Sequence, residues 1–447
     1  MSAMNSIPSG YKVNGCGATR ESTVGYKQTE VGVIPADWDA KEIGDSIDLL
    51  TGFPFPSSGY SKSGIRLLRG SNVKRGKTDW SDDITQYWPS ATQDITRYEL
   101  REGDLVIAMD GSLVGRSSAQ LAADDLPALL LQRVARIRST NRLDVSYLTA
   151  FVGGDWFIKH SDAVKTVTAI PHISPADIRG FTIPVPSSIE EQRAIATALS
   201  DVDALLAAQD KLIAKKRDIK QAAMQQLLTG KQRLPGFSGG WEVKTLGDLF
   251  TFSGGYSASR DQLSVEGHCY LHYGDIHGSS KTSIDTEVDY QDIPKLDIPL
   301  KQVSTKSLLK DGDVVFVDAS EDDEGTSKHV VVVNKSNLPF ISGLHTIVAK
   351  SKIDELAHEY RHYCFQTQAI RQQFLFYAVG TKVSGISKTN MPKLTLPVPS
   401  IPEQTAIAAV LSDMDADLAA LEQQRDKTRA VKQGMMQELL TGRIRLV

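Results

Sequence analysis

The sequence has little of what marks secreted, membrane-spanning or disulfide-stabilised proteins. Its 447 residues include only three cysteines, Cys16, Cys269 and Cys364. They are too scattered for a disulfide framework or a metal cluster. No apolar run reaches the roughly 18 residues of a transmembrane helix, and the N-terminus lacks a basic-then-apolar signal pattern. We therefore expect a cytoplasmic protein of roughly two to four globular domains.

An excess of positive charge is also missing, because the formal net charge is −4. Any DNA-binding surface must then be local, or a partner must supply much of the phosphate contact. One stretch is locally basic and contains a single acid, Asp218. Its basic residues are Lys211, Lys215, Lys216, Arg217, Lys220, Lys231 and Arg233. A solvated helix face is an equally good interpretation of this stretch.

Catalytic signatures are absent as well. The sequence contains no G-x-x-x-x-G-K-[ST] phosphate loop, no H-E-x-x-H, no paired Cys-x-x-Cys, and no Asp/Asn-Pro-Pro-aromatic motif of amino-methyltransferases. The acidic run 321–324 is better explained as a solvated loop than as a metal site. His160, His172 and His277 have no partners at ligand spacing. An enzyme is therefore the least supported class.

What the sequence does contain is an internal duplication. Residues 189–234 and 401–446, aligned without a gap, are identical at more than half of their positions. A match this long indicates a duplicated chain, and any function must account for two copies.

Each copy predicts one long helix. Ser188 with Glu191, and Ser400 with Glu403, have the spacing of a capping box, in which the glutamate reaches back to the cap. Gly230 and Gly442 suit left-handed C-caps. Between these ends, apolar residues recur at three- and four-residue steps: Ile195, Leu199, Val202, Leu205, Leu206, Leu212, Ile213, Ile219, Met224, Leu227 and Leu228 in the first copy, with a similar set in the second.

Roughly 40 residues would make a helix about 60 Å long. A helix of that length with one apolar stripe needs a partner, and the other copy is the obvious one. The alternative is two unrelated surface helices, each packed on its own domain.

The duplication extends more weakly into the globular parts. Trp38 aligns with Trp241, and the Gly-Asp pair at 103–104 aligns with that at 312–313, where a turn is predicted to enter a buried strand. Residues 129–137 and 345–350 also resemble strands. A shared framework with different loops is what two modules reading different targets need. Relaxed constraint after duplication would look similar.

These motifs resemble a family, the specificity (S) subunits of type I restriction–modification systems. The most specific parts are the entry YKQTEVGVIPADW, the junctions IPVPS–IEEQRAIA and LPVPS–IPEQTAIA, and the exits QQLLTGKQRL and QELLTGRIRL. The resemblance implies an α+β fold in which two mixed target-recognition domains are joined by two long helices that form an antiparallel coiled coil with pseudo-twofold symmetry. The expected segments are a disordered lead-in (1–25), a first domain (26–187), a first helix (188–234), a second domain (235–399) and a second helix (400–447).

The resemblance also implies a function without catalytic residues in this chain. Each domain would read one half of a bipartite, asymmetric double-stranded DNA target, and the helices would set the spacer and dock two modification subunits. Those subunits would bind S-adenosylmethionine and transfer the methyl group. Restriction subunits in the full complex would bring ATP and Mg²⁺ chemistry.

Loops that follow the framework strands are the expected DNA-binding elements, because polar side chains read base edges. The candidates in the first domain are Arg69, Ser71, Asn72, Lys74, Ser112, Arg116, Lys165, Thr168 and His172. Those in the second domain are Tyr273, Asp275, His277, Ser320, Thr381, Lys382 and Ser384. The alternative for each is a turn residue that caps its own loop.

A scaffold that binds proteins through its helices and globular ends is the main competing function. Salt dependence separates the two hypotheses. DNA binding by an assembled complex weakens steeply with salt, whereas a scaffold shows no sequence-specific DNA binding.

Overall fold

The computed structural model describes residues 25–166, 169–278, 281–320, 328–378 and 384–446. The chain divides into two compact units. One comprises the chain up to Ala207 and from Asp426 onward, and the other comprises Ala208–Arg425. All but the last residue of the predicted lead-in lies outside the described residues. Within those ranges, no helix is both long and apolar enough to cross a bilayer.

The first unit contains short strands and helices followed by most of the first long helix. The strands are β1 (Tyr26–Thr29), β2 (Gly32–Pro35), β3 (Asp39–Glu42), β4 (Asp48–Thr51), β5 (Ile65–Leu68), β6 (Gln86–Trp88), β7 (Leu105–Ala108), β8 (Ser118–Gln120), β9 (Ala128–Leu130), β10 (Val134–Arg138) and β11 (Thr182–Val185). The helices are α1 (Val145–Val152), α2 (Asp155–Val164), α3 (Pro175–Arg179) and α4 (Ile189–Leu227), which continues into the second unit.

The second unit has a parallel set of elements. Its strands are β12 (Glu242–Thr245), β13 (Phe250–Gly254), β14 (His268–Leu271), β15 (Ser283–Asp285), β16 (Lys295–Leu296), β17 (Val314–Val317), β18 (Ala319–Ser320), β19 (His329–Val333), β20 (Phe340–Ser342), β21 (Thr346–Ser351), β22 (Ser384–Gly385) and β23 (Thr395–Val398). Its helices are α5 (Leu246–Leu249), α6 (Tyr273–His277), α7 (His358–Cys364), α8 (Gln368–Tyr377) and α9 (Ile401–Leu439), which continues into the first unit.

The sheets repeat the same topology in both units. The order β4-β10-β7-β8 corresponds to β13-β21-β17-β19, with β15 added at the edge of the second sheet. A smaller sheet, β6-β5-β9, corresponds to β16-β14-β20, and the pair β11-β3 corresponds to β12-β23. The mixed α+β fold with an internal repeat is therefore confirmed.

The two Gly-Asp turns show why this framework recurs. Gly103 and Gly312 adopt positive φ angles of 84° and 77°, which favour glycine. Asp104 and Asp313 are buried. Each carboxylate accepts a hydrogen bond from the amide three residues earlier, at 2.8 Å in both turns. Each also binds a cation of the neighbouring strand, Arg138 or Lys350, at 2.6 Å. The strands that follow, β7 and β17, are completely buried, as predicted.

One strand prediction is wrong. Residues 129–137 do not form a single strand, because β9 and β10 belong to different sheets. The chain turns between them at Arg133, whose φ of 67° is incompatible with extended backbone.

The long helices begin directly after Ser188 and Ser400, as predicted, but they end at Leu227 and Leu439, before the expected segment ends at 234 and 447. Gly230 and Gly442 adopt left-handed φ angles of 69° and 70° beyond α4 and α9. The capping boxes are not formed as predicted. The Ser188 hydroxyl does accept a hydrogen bond from the Glu191 amide at 3.3 Å, but both glutamate side chains bind distant arginines instead of reaching back.

These arginines follow the helix exits. The Glu191 carboxylate binds the Arg445 guanidinium, which also donates to Asp37 at 3.0 Å and lies over the Trp38 ring. In the second unit, the Glu403 carboxylate binds Arg233. It also accepts a hydrogen bond from the Trp241 indole at 3.1 Å. Both glutamates are buried. Each glutamate–arginine ion pair therefore holds the segment after one long helix against the first turn of the other long helix.

A buried glutamine follows each glutamate and fastens the helix start to its domain. Gln192 accepts from the Asp144 amide at 2.9 Å and donates to two backbone carbonyls. Gln404 accepts from the Ala357 amide at 2.8 Å and likewise donates to two carbonyls. The repeated Glu-Gln pair thus performs the same two roles in each unit.

Inside the second unit the long helices run antiparallel. From Asp210 to Lys220 on α4, the ion-pair partners on α9 go from Arg425 back to Asp415. The pairs are Asp210–Arg425, Lys216–Asp417, Arg217–Glu422 and Lys220–Asp415. The basic stretch that began at Lys211 is therefore partly neutralised by acids of α9. Of the apolar residues predicted to form one stripe on α4, Leu212 and Ile219 are exposed in this unit, and Leu205 is exposed in the first.

Candidate nucleic-acid interface

In the first domain, three segments predicted to bind DNA meet at one edge of the sheets. The segment 69–74 follows β5, and the segment 110–116 follows β7. The third predicted segment contacts the second through Pro171 and His172. Asp110 and His172 form a bridge, and the Gly111 amide donates a 3.0 Å hydrogen bond to the Pro171 carbonyl. The first two segments line a cleft of about 400 Å³ with Arg69, Ser71, Lys74 and Ser112.

The other first-domain candidates occupy different positions. Arg116 and Lys165 share one carboxylate, Asp162, at 3.2 and 2.6 Å. Asn72 is buried and acts within its own loop, where its side chain accepts from the Arg69 amide at 3.1 Å and donates to the Asp79 carbonyl at 2.9 Å. Thr168 lies outside the described residues. Contact with DNA stays a prediction for all nine.

In the second domain, the corresponding segments also meet. Tyr273, Asp275 and His277 lie on α6, directly after β14. The Asp275 carboxylate accepts from the His272 amide at 3.1 Å, as Asn72 does from Arg69 in the first domain.

Two further candidates of the second domain are paired through their backbones. Ser320 in β18 lies opposite Ser384 in β22. Thr381 and Lys382 lie outside the described residues. As in the first domain, DNA contact by these residues remains a prediction.

The prediction missed the segment between the two sheets. Gln132 and Arg133 line the same cleft as Arg69 and Ser71. The Arg133 guanidinium donates to the Asp110 carboxylate at 2.8 Å. In the second domain, His345 lies beside Asp318 and contacts the Tyr273 ring at 5.5 Å between centroids. Arg133 and His345 both lie inside stretches that the sequence predicts as strands, 129–137 and 345–350, so no sequence signal marked them as binding residues.

His272 connects this cluster to the stability of the second unit. Burial lowers the pKa of its imidazole, and the nearby Arg260 cation lowers it further. The neutral ring accepts a hydrogen bond at Nδ1 from the Gly274 amide at 3.1 Å. Protonation would remove that acceptor.

We expect the second unit to lose stability as the pH falls from about 7 toward 5.5. The unfolded chain binds a proton near pH 6.5 while the folded imidazole resists protonation, so acid favours unfolding. His272→Asn retains an acceptor but does not titrate, and it should reduce the slope of unfolding free energy against pH. Burial also lowers the pKa of His362, so part of the slope should remain. An unchanged slope in His272→Asn would contradict this assignment.

Comparison with known proteins identifies the family of this chain. The family model described as "Type I restriction modification DNA specificity domain" matches residues 35–215 and again residues 238–428. The chain belongs to this family. The two matches of the specificity family contain the two sets of loops described above, and together they cover most of the chain.

Individual relatives are similar over part of their length. The type I restriction enzyme EcoAI specificity subunit of Escherichia coli is 32% identical over 197 residues, covering 43% of this chain and 32% of the relative. The MjaVIII specificity subunit of Methanocaldococcus jannaschii is 29% identical over 218 residues, covering 47% of this chain and 49% of the relative. This chain therefore spans half or less of these two relatives.

A solved structure shares the fold over a longer span. The crystal structure of the type I restriction–modification S subunit from M. genitalium aligns with a TM-score of 0.55 at 16% identity, covering 90% of this chain and 96% of that one. At this identity the likeness concerns the fold alone.

Proposed function

We propose that this chain is the DNA-recognition subunit of a type I restriction–modification complex. Each globular domain reads one half of a bipartite, asymmetric target. The observation that carries the proposal is the doubled match to the specificity family, in which a repeated framework holds different loop residues. In the first domain these include Arg69 and Ser112, and in the second Tyr273 and His277. Different side chains on one scaffold suit two unlike half-sites.

In this proposal the long helices set the distance between the half-sites and dock two modification subunits. Leu212 and Ile219 are 42% and 46% exposed on α4 in the second unit. Their seven-residue spacing puts both on one helix face. Exposed apolar residues on a shared face are typical of interaction surfaces, and they support a protein partner along the helix.

The chemistry belongs to the partners. S-adenosylmethionine and methyl transfer are supplied by the modification subunits, and ATP and Mg²⁺ by the restriction subunits. The chain contributes recognition and assembly in the cytoplasm. A net charge of −4 suits this division, because partner subunits can share the phosphate contacts.

The test is to co-purify the chain with its cognate modification subunit and to sequence the methylome of cells that express the pair. We expect one split motif methylated on both strands. DNA binding by the complex should fall steeply between about 50 and 200 mM salt. If the chain bound no modification subunit and no DNA, a protein scaffold would replace this proposal.

A further inference from the structure

Two residues outside the predicted interface occupy the same place in the two domains. Arg133 precedes β10, and its carbonyl accepts a hydrogen bond from the Met109 amide at 2.9 Å, just beyond β7. His345 precedes β21, and its carbonyl accepts from the Asp318 amide at 3.2 Å, just beyond β17. The strand registers agree, since Val134 pairs with Ala108 and Thr346 pairs with Val317.

Both residues have a left-handed backbone conformation, which is uncommon for any residue other than glycine. The φ angles are 67° at Arg133 and 57° at His345. Among the residues that the structure describes, the other non-glycine residue with positive φ is Asn337. Because Asn and His tolerate this region better than Arg does, the strain is greatest at Arg133. Glycine would remove the strain at either site. Strain of this kind clusters at functional sites, where the side chain is needed despite its cost.

Each side chain is exposed and lies beside a carboxylate at the end of the neighbouring strand. The side chain of Arg133 is 63% exposed, and its Nη1 donates to Asp110 Oδ2 at 2.8 Å. The side chain of His345 is 51% exposed, with its Nδ1 3.3 Å from Asp318 Oδ1. One edge of each head group is thus directed at protein, and the rest is open to an approaching ligand.

The surroundings of the two residues differ. Arg133 shares its cleft with Arg69, Ser71 and Ser112. His345 instead packs edge-on against the Tyr273 ring, with His272 next to it. Arg133 and His345 thus occupy the same place in the fold, but their head groups and the side chains around them differ.

We propose that Arg133 and His345 are equivalent specificity-determining residues, each contacting a base edge in its own half-site. Asp110 orients the Arg133 guanidinium through a hydrogen bond, and Asp318 Oδ1 lies 3.3 Å from His345 Nδ1. The guanidinium keeps donors free beyond the one on Asp110, and two parallel donors match O6 and N7 of guanine in the major groove. Arg133 therefore reads a guanine in the first half-site. This inference rests on the proposed function, because it needs a DNA target.

The experiment uses the chain in complex with its modification subunits and reads out the methylome and the methylation rate on duplexes. Arg133→Ala should relax the motif at one guanine of one half-site and lower the rate on the original target by about tenfold or more, the range for one bidentate base contact. Arg133→Lys retains charge without the planar fork and should relax the same position. His345→Ala should relax one position in the other half-site only.

Matched controls lie at the far ends of β7 and β17, the strands that pair with β10 and β21. Arg101 and Lys310 are exposed cations on the Gly-Asp turns that precede β7 and β17. Arg101→Ala and Lys310→Ala should leave the motif and rate unchanged. Arg133→Gly should abolish the preference for guanine at that position of the motif. The melting temperature of this variant should stay unchanged or rise, since glycine relieves the φ strain.

The outcomes separate the two proposals. If the unmodified complex methylates no split motif, the proposed function fails. If it methylates a split motif and the Arg133 and His345 variants leave that motif intact, the proposed function stands and this inference is overturned. A uniform loss of rate without relaxation at any base would also overturn it, because it would indicate phosphate contact.

Discussion

Arg445→Ala is expected to lower the free energy of unfolding of the first unit by about 3 kcal/mol. The substitution leaves the Glu191 carboxylate without its bidentate cation, and the glutamate side chain is only 1% exposed. Removing one partner of a buried pair is costly because the other charge stays buried and unpaired. The lower end of the usual range applies, since the arginine side chain itself is 17% exposed and Asp37 is near the surface. Urea denaturation measures the effect.

A double variant tests the reason for this loss. Glu191→Gln in the Arg445→Ala background removes the unpaired charge and should recover part of the stability. Arg233→Ala is the matched change in the second unit, where it should destabilise through Glu403. Additive effects of Glu191→Gln and Arg445→Ala would show that the two side chains are not coupled.

Gln404→Leu is expected to cost about 3 kcal/mol or more in the second unit. The amide side chain is fully buried and makes three hydrogen bonds, with the Ala357 amide and the Glu355 and Pro399 carbonyls, all between 2.8 and 2.9 Å. Leucine fills the space and leaves these backbone groups unpaired, at about 1–3 kcal/mol for each buried group. Chemical denaturation of the full chain measures the change.

The same substitution at an exposed position of α9 provides the control. Gln423→Leu should change the free energy of unfolding by less than about 0.5 kcal/mol. Gln404→Glu retains the acceptor but loses both donors, so it should be no milder than leucine. Equal effects at positions 404 and 423 would exclude the hydrogen-bond explanation. Gln192→Leu should reproduce the loss in the first unit.

Local signals in the sequence predicted local structure well. The helix-ending glycines, the Gly-Asp turns and the buried strands after them depend on neighbours within a few residues, and they form as expected. The two capping boxes failed for the opposite reason. Glu191 has the right spacing for a cap, but its partner Arg445 lies 254 positions away in the chain, and a charged partner outcompetes a single backbone amide.

The sequence indicated which loops would lie together, whereas DNA contact by these loops and by their residues stays a prediction. Parallel pairing of β5 with β9 brings the loop after β5 beside Arg133. Antiparallel pairing of β10 with β7 then brings Arg133 beside Asp110, in the loop after β7. The left-handed turns at Arg133 and His345 follow from a chain that changes sheets between two strands. No local pattern distinguishes such a turn from a continuous strand, so the sequence predicts one strand over residues 129–137.

The contact between Arg445 and Trp38 in the first unit has a counterpart between Arg233 and Trp241 in the second. In the first unit, the segment that follows α9 packs on residues at the end of β2 and just before β3, and a side chain at Gly442 would meet Pro35 and Trp38. Arg233 and Trp241 make the same junction in mid-chain. The same junction thus joins residues from distant parts of the chain in the first unit and residues close together in the chain in the second. Because the entropic cost of closing a loop grows with its length, chain entropy opposes the first junction more than the second.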